Sequence, residues 1–167
     1  TKDASLNQST NGFITFGCFN NLPKVTPTTM GLWASVLKAI PDARLVVKNR
    51  SFLDKTTREE TRVALVEAGV DPERLDLLEW IDGRRDHLQA YHQIDVALDP
   101  FPWGGHTTTC MAAFMSVPVV TLRGRRMASR MSASVLHRMG FDADAVWDHP
   151  ANAALKQRRD PNLLYPG

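Results

Sequence analysis

The stretch that decides the fold reads IDVALDPFPWGGHTTT, residues 94–109. Its first five residues are mostly apolar and favour a strand, and its final hydroxyl-bearing residues favour the start of a helix. Between them lies a segment of prolines, aromatic residues and two glycines, called here the glycine loop (residues 99–106). Adjacent glycines let a backbone approach a ligand closely, and a helix N-terminus attracts anionic oxygens. The pattern predicts a phosphate-binding loop; the alternative is that the glycines only permit a tight turn.

On both sides of this loop, strand and helix patterns alternate with short connections. That alternation is typical of an α/β fold with a doubly wound, mostly parallel sheet covered on both faces. Ligands of such sheets bind beyond the carboxyl ends of the strands, so the loops after the strands should share one functional edge. Strands are predicted at 13–19, 44–48, 75–78, 94–98 and 117–122, and helices at 27–40, 54–68, 84–92, 108–115 and 128–139.

The chain of 167 residues falls in the size range of one domain. Residues 13–140 carry the strand and helix patterns and are predicted to form that domain. Residues 1–12 are predicted to be a disordered or linking segment, and residues 141–167 a loosely packed tail. The first residue is not Met, and we expect the chain to be a piece of something longer.

Composition narrows the classes of function. The 20 basic and 18 acidic residues nearly balance, which argues against a nucleic-acid partner. No apolar run approaches the ~20 residues of a membrane helix, so no membrane partner is expected. The basic tract at 123–126 with Arg130 is interpreted as a solvated loop unless it lies beside the glycine loop. Cys18 and Cys110 are expected to be free, buried thiols in a cytoplasmic protein.

Several common catalytic motifs are absent from the sequence. No G-x-G-x-x-G follows the first strand and no Walker A lysine motif occurs, which disfavours nicotinamide and P-loop chemistry. No G-x-S-x-G elbow supports a serine hydrolase. The five histidines lack metal-ligand spacing, so we expect neither a metal nor another cofactor.

Lys24 and Asn21 follow the first predicted strand, and their loop should share the edge of the glycine loop. A lysine there could neutralise a diphosphate, and the Asn21 amide could bond to a base or sugar. The alternative is that Lys24 is one of many solvated loop lysines.

Taken together, several segments resemble the C-terminal half of the catalytic region of O-linked N-acetylglucosamine transferases, the SPINDLY-type family. The resemblance covers residues 13–140 and is specific as a combination. It is carried by FGCFNNLPK at 16–24, LDPFPWGGHTTT at 98–109, VPVVTL at 117–122 and ASR at 128–130.

The resemblance implies a Rossmann-like half of a GT-B glycosyltransferase that moves N-acetylglucosamine from UDP-GlcNAc to Ser or Thr hydroxyls of proteins. It implies that Lys24 stabilises the departing diphosphate and that His87 packs by the uracil. The partners it implies are the nucleotide sugar, an N-terminal catalytic half, a TPR array and a protein acceptor. The residues expected to bind the nucleotide sugar are Asn21, Arg84, His87, Gly105, His106, Thr107 and Thr108.

One position departs from the family pattern. An acidic residue commonly holds the ribose hydroxyls at the position of Met111, and a thioether cannot accept two strong hydrogen bonds. The chain also has no N-terminal catalytic half, so we expect it to be inactive by itself. The alternative function is a non-catalytic nucleotide-binding or interaction module derived from the same fold.

Overall fold

The computed structural model describes residues 12–80 and 83–140, with the backbone alone at Arg84. The predicted tail, and the predicted N-terminal segment apart from Gly12, lie outside the described residues. None of the helices in the described ranges is long and apolar enough to cross a membrane.

The described residues form an α/β fold with a parallel sheet, which confirms the predicted class. The strands are β1 (Thr15–Cys18), β2 (Arg44–Lys48), β3 (Leu75–Leu78), β4 (Val96–Leu98) and β5 (Val119–Val120). The α-helices are α1 (Pro27–Ala39), α2 (Lys55–Glu67), α3 (Arg84–Gln89), α4 (Thr107–Phe114) and α5 (Met131–Arg138). Short 3-10 helices cover Leu22–Lys24, Arg50–Leu53, Pro72–Arg74, Ala90–Gln93 and Met127–Ser129.

The strand order is β3-β2-β1-β4-β5, and each neighbouring pair is parallel. The chain moves outward from β1 to β3 and then returns to the other side of β1, so the order reverses between β1 and β4. In doubly wound sheets a ligand binds in the crevice at this reversal, outside the carboxyl ends of the strands. The segment after β1 and the glycine loop after β4 therefore flank the expected binding crevice.

Three predicted strands are shorter in the structure, and two predicted helices are divided. The strand predicted at 13–19 covers only Thr15–Cys18. The strand predicted at 94–98 begins at Val96, because Asp95 instead ties β4 to β1: its backbone N–H donates to the Thr15 carbonyl and its carboxylate accepts from the Thr15 N–H. The strand predicted at 117–122 is reduced to Val119–Val120 at the sheet edge. The helices predicted at 84–92 and 128–139 each divide into an α-helical and a 3-10 segment.

The two faces of the sheet carry separate apolar clusters. The larger one includes Phe16, Leu45 and Val47 together with Trp33 and Leu37 of α1. On the opposite face, the smaller cluster has as its buried members Val46, Tyr91, Ile94, Ala112 and Val117. Gly17 makes this second face possible, because a Cβ there would lie 2.5 Å from the Ile94 side chain. The missing side chain lets the crossover before β4 pack directly on β1.

Polar contacts fix the ends of α1, the helix that leads away from the binding edge. The Thr26 hydroxyl accepts from the Thr29 N–H as the predicted N-cap, and Pro27 follows it. At the other end, the Arg74 guanidinium donates to the carbonyls of Leu37, Ile40 and Ala43. These bonds satisfy carbonyls that a helix C-terminus leaves without partners.

Candidate functional site

Lys24 joins the two segments that flank the crevice. It ends the short 3-10 helix after β1, and its ammonium donates to the Gly104 carbonyl at 2.9 Å. The side chain is half-buried, so the charge lies at the glycine loop and remains accessible from the edge of the sheet. Sequence reasoning expected Lys24 at this edge, and the structure places it against the loop.

The first turn of α1 holds the aromatic part of the glycine loop. The Thr29 hydroxyl accepts from the Phe101 N–H at 3.1 Å and donates to the Phe101 carbonyl at 2.7 Å. The Thr26 hydroxyl donates to the same carbonyl at 3.0 Å. Since Thr29 is fully buried, this clamp lies beneath the loop and outside the solvent-facing site. The loop is therefore held in one geometry before any ligand arrives.

Asp99 braces the loop from inside. Its carboxylate accepts from the Gly105 N–H at 2.7 Å, from the Thr121 hydroxyl at 2.8 Å and from the Asn20 amide at 3.5 Å. The Gly104 N–H donates to the Ala128 carbonyl. Both glycine N–H groups therefore already have partners in this structure, Gly105 within the loop and Gly104 at the segment before α5.

Gly105 has a structural reason to be glycine. A Cβ at this position would lie 2.5 Å from the Thr108 hydroxyl oxygen, 2.7 Å from that of Thr109 and 3.0 Å from an Asp99 carboxylate oxygen. The absence of a side chain thus lets the first turn of α4 fold back over the loop. Gly105 therefore permits the tight turn from the loop into α4. Binding of a phosphate by this loop stays a prediction.

The donors available to an anion come from the first turn of α4. N–H groups in a first helical turn have no partner within the helix, and the helix dipole adds positive potential there. His106 is the N-cap residue and makes no side-chain capping bond, and both His106 and Thr107 are exposed. The Thr108 hydroxyl is half-buried and donates to the Asn20 side-chain carbonyl at 2.8 Å. Together, Lys24 and this turn can bind a diphosphate.

A basic segment adds positive charge beside the loop. The Ala128 carbonyl and the Ser132 hydroxyl, which contact Gly104 and Gly105, bring the start of α5 against the loop. The preceding tract carries arginines that are all exposed: Arg123, Arg125, Arg126 and Arg130. The basic tract thus adjoins the glycine loop. By its sequence, this tract is interpreted as a solvated loop unless it lies in that position. Positive potential at this edge favours an anionic ligand.

A second group of side chains lies one strand further along the same edge. We call it the ring cluster; it consists of Phe19, Lys48, Trp80, His87 and Tyr91. Trp80 and His87 stack with their ring centroids 5.1 Å apart, and Phe19 meets Tyr91 edge-on at 4.7 Å. The Lys48 ammonium lies 5.6 Å from the ring centroids of both Phe19 and Trp80 and 3.0 Å from His87 Nδ1.

Burial shifts the pKa values of three side chains in the ring cluster. It lowers the pKa of Lys48, whose side chain is nearly inaccessible. Burial also lowers the pKa of His87, and the neighbouring Lys48 ammonium lowers it further. The pKa of the Tyr91 phenol is raised by burial, so this hydroxyl stays protonated and donates to the Thr108 carbonyl at 3.3 Å. Tyr91 thereby connects the ring cluster to α4 and the glycine loop.

The remaining predicted site residues occupy different positions around this edge. Asn21 is exposed at the start of the 3-10 helix that ends in Lys24 and makes no capping bond with its side chain. Arg84 is the first residue of α3, described by its backbone. Met111 lies in α4, half-buried, and packs against the smaller apolar cluster.

Sequence reasoning missed four residues that organise the site. Asn20 and Asp99 stand inside motifs that were recognised, but their roles depend on contacts between distant loops. Lys48 and Trp80 follow or end apolar strands, and a lysine closing a buried strand was the available signal. Both cysteines are free, as predicted. The predicted burial is confirmed at Cys18, where it raises the thiol pKa to about 12, and is wrong at Cys110, which is exposed on α4.

Within residues 12–80 and 83–140, no three His, Cys, Asp or Glu side chains converge in a way that could hold a metal ion. At the glycine loop the structure places the Lys24 ammonium and the first-turn N–H groups of α4. Such groups are hydrogen-bond donors suited to phosphate oxygens.

Comparison with known proteins agrees with this geometry. A model of glycosyl transferase family 41 matches residues 5–152. A probable UDP-N-acetylglucosamine–peptide N-acetylglucosaminyltransferase SPINDLY of Oryza sativa subsp. japonica is 46% identical over 131 residues, which are 78% of this chain and 14% of the rice protein. The corresponding Arabidopsis thaliana protein is 44% identical, again over 78% of this chain and 14% of its own length.

A solved structure shows the same fold. A mutant O-GlcNAc transferase of Thermobaculum terrenum superposes with a TM-score of 0.74 at 45% sequence identity, covering 78% of this chain and 25% of that one. The chain thus spans about a seventh of the plant relatives and a quarter of the bacterial enzyme. Since the family model matches residues 5–152 and the rice relative is 46% identical over 78% of the chain, this chain belongs to glycosyl transferase family 41.

Proposed function

We propose that this chain is the donor-binding domain of a glycosyltransferase that moves N-acetylglucosamine from UDP-GlcNAc to Ser or Thr hydroxyls of proteins. One observation carries the proposal: the Lys24 ammonium lies on the glycine loop, beside the first turn of α4, at the point where the strand order reverses. The plant and bacterial relatives that carry this region are described as N-acetylglucosaminyltransferases.

The proposed chemistry is stabilisation of a leaving group. When the bond between the sugar and the diphosphate breaks, negative charge develops on the departing phosphate oxygens. Lys24 and the first-turn N–H groups of α4 bind that charge more strongly than they bind the intact donor, and this difference lowers the barrier. Lys24 is the proposed catalytic residue because it is the ammonium that contacts the loop.

Each other site residue has a proposed part in holding the nucleotide sugar. His106, Thr107 and Thr108 supply donors to the diphosphate, and Gly105 allows the close turn that positions them. Asn21 offers an exposed amide beside Lys24 to the base or sugar. His87 packs by the base, with Arg84 nearby at the start of the same helix.

No cofactor is part of this proposal. Divalent metals often neutralise a diphosphate leaving group, and here Lys24, the α4 dipole and the adjacent arginines carry out that neutralisation. The N-terminal catalytic half of the enzyme positions the acceptor hydroxyl and any general base, and a TPR array is a further partner. The protein acceptor binds between the halves. By itself the domain binds donor without turning it over.

Calorimetric titration of the chain with UDP and with GDP, at near-physiological salt, tests the proposal. We expect one nucleotide to bind and Lys24→Met to weaken binding by about tenfold or more, since charge-assisted hydrogen bonds contribute about 1.5–3 kcal/mol. Lys38→Met is the matched control, because Lys38 is an exposed lysine on α1. Binding of neither nucleotide by a folded chain would overturn the proposal, as would equal weakening by both substitutions.

A second candidate function is a non-catalytic nucleotide-binding or interaction module. It is favoured by Met111, whose thioether packs on the smaller apolar cluster where the family commonly has an acidic residue for the ribose. A module of this kind keeps the fold and loses affinity for the nucleotide sugar. Absence of UDP and GDP binding in the titration above would favour the interaction module.

A further inference from the structure

The side chain of Lys48 closes the buried strand β2 and has no surface of its own. It is 2% exposed, and among the described residues no carboxylate forms a salt bridge with it. A buried ammonium is costly unless it is compensated. Its compensation is the His87 ring nitrogen at 3.0 Å and the faces of Phe19 and Trp80. The ammonium of Lys48 is therefore shielded from water and held by the rings of the ring cluster.

The contact between Lys48 and His87 fixes the tautomer of the imidazole. Lysine ordinarily has a pKa about four units above that of histidine, so the shared proton resides on Lys48. Burial lowers the pKa of both groups. A lysine ammonium has three donors and no acceptor, so in the 3.0 Å contact Lys48 is the donor and the ring nitrogen is the acceptor. Lys48 then donates to His87 Nδ1, which leaves the imidazole neutral with its hydrogen on Nε2. The other members of the ring cluster, Phe19, Trp80 and protonated Tyr91, carry no charge.

The His87 ring lies where a ligand can reach it. Trp80 is 38% exposed and His87 is half-buried, so the stacked pair is open to solvent at the carboxyl edge of β2 and β3. Tyr91, four residues after His87 on the same crossover segment, contacts the α4 backbone at Thr108. Because the stacked pair and α4 are connected in this way, a nucleobase beside Trp80 and His87 would belong to a ligand whose diphosphate lies at α4.

We propose that Lys48 is a positioning residue that acts through His87 to make the site select a nucleobase with a carbonyl oxygen. The inference rests on the proposed function, since it assumes that a nucleoside diphosphate binds at this edge. Nδ1 is occupied by Lys48, so Nε2–H is the group left to bind a ligand, and it can only donate.

The chemistry of the bases gives this donor a preference. Uracil and guanine carry a carbonyl oxygen where cytosine and adenine carry an amino group. A fixed N–H donor forms a hydrogen bond with the carbonyl oxygen. Opposite the amino group it faces another donor, and no hydrogen bond forms. A well-formed hydrogen bond to a base discriminates by about tenfold or more. Comparing the affinity for UDP with that for CDP, and the affinity for GDP with that for ADP, therefore measures this preference. The comparison also distinguishes a uracil site from a guanine site.

The first experiment is ¹⁵N NMR of the histidine side chains in the ligand-free chain. We expect His87 in the Nε2–H form, with a pKa below that of an ordinary histidine. In Lys48→Met the pKa of His87 should rise and the tautomer should become mixed. Methionine fits the lysine stem and removes a buried charge, a change that proteins often tolerate. An Nδ1–H form of His87 in the unsubstituted chain would overturn the inference.

The second experiment measures dissociation constants for the four nucleoside diphosphates. We expect the unsubstituted chain to prefer the carbonyl base in one pair by about tenfold, and Lys48→Met to reduce that preference to about twofold or less. His87→Phe keeps an aromatic ring without the donor and should lose the preference while Lys48 is present. Lys38→Met should retain it.

The outcomes separate the two proposals. If the unsubstituted chain binds without preference, or if Lys48→Met keeps the preference, the inference fails and the proposed function stands. If the folded, unsubstituted chain binds none of the four nucleotides, the proposed function fails and the inference fails with it. Loss of preference in both Lys48→Met and His87→Phe, with binding retained, supports both.

Discussion

Lys24 and Gly104 are eighty residues apart in sequence, yet the lysine ammonium and the glycine carbonyl oxygen are separated by 2.9 Å. The hydrogen bond joins the segment after β1 to the glycine loop after β4, across the reversal of the strand order. Lys24 thus supports the loop as well as carrying charge toward a ligand. A substitution at Lys24 affects both properties, so its effect on binding has to be read beside substitutions that change the loop alone.

Substitution of Gly105 by alanine changes the loop alone. We expect Gly105→Ala to lower the free energy of unfolding by about 1–3 kcal/mol, because its Cβ would overlap the Thr108 and Thr109 hydroxyl oxygens. Nucleotide affinity should fall with it. Urea denaturation and calorimetry measure the two effects. Gly31→Ala is the control: a Cβ at Gly31 in α1 meets open space, and stability should rise by up to about 1 kcal/mol. Equal stability changes in the two variants would contradict the account of the loop.

The clamp beneath the loop predicts a large difference between neighbouring threonines. Thr29→Val removes the hydroxyl that bonds both the N–H and the carbonyl of Phe101, and we expect a loss of about 1–3 kcal/mol in unfolding free energy. Thr28 is exposed in the same helical turn, so Thr28→Val should change stability by less than about 0.5 kcal/mol. Chemical denaturation of the pair provides the measurement, and similar values for both would show that the clamp is unimportant.

Met111→Asp tests the departure from the family pattern. A carboxylate there should accept hydrogen bonds from the ribose, so nucleotide affinity should rise even though stability falls, because Met111 packs on the smaller apolar cluster. Met111→Leu preserves the packing without an acceptor and should leave affinity unchanged. Calorimetry on the three proteins decides the point. No gain in affinity with aspartate would mean that the nucleotide is held by other contacts.

Stability should decrease as the pH falls through the range in which histidine titrates. Burial, and next to it the Lys48 charge, lower the pKa of His87 below its ordinary value of 6.5. Between the lowered pKa and 6.5 the unfolded chain binds more protons than the folded chain, so the free energy of unfolding falls with falling pH. His87→Gln lacks this titration and should show a shallower dependence between pH 7 and about pH 5. Identical slopes in urea denaturation would contradict the assignment.

Two strands, β2 and β3, were predictable to the residue, whereas the central strand β1 was predicted at 13–19 and covers only Thr15–Cys18. The contacts across the sheet were not predictable. β2 and β3 were predicted at their observed limits because short apolar runs are bounded by turn residues on both sides. β5 was predicted too long, since Val117, Pro118, Thr121 and Leu122 continue its apolar pattern but only two residues pair with β4 at the edge. Hydropathy shows which residues are apolar, but it does not show how many of them pair with a neighbouring strand.

The candidate site was likewise predictable where it lies within contiguous motifs, and it was not predictable where it depends on contacts between distant segments. Lys24 and the first turn of α4 lie within contiguous motifs, so the sequence placed them at one edge once the fold class was inferred. The contacts of Asp99 with Gly105 and of Lys48 with His87 depend on loop geometry and on the order β3-β2-β1-β4-β5, which no local pattern contains. Their residue types were visible, but their partners were not.

The unequal size of the two apolar clusters has a consequence for motion. The described part of the smaller cluster has five buried residues against fifteen in the larger, and it lies under α4, which carries the proposed diphosphate donors. Local unfolding occurs most readily where a structure buries the fewest apolar contacts. Backbone amides of α4 should therefore exchange with deuterium sooner than those of β2, and a ligand that bridges Lys24 and α4 should slow that exchange most.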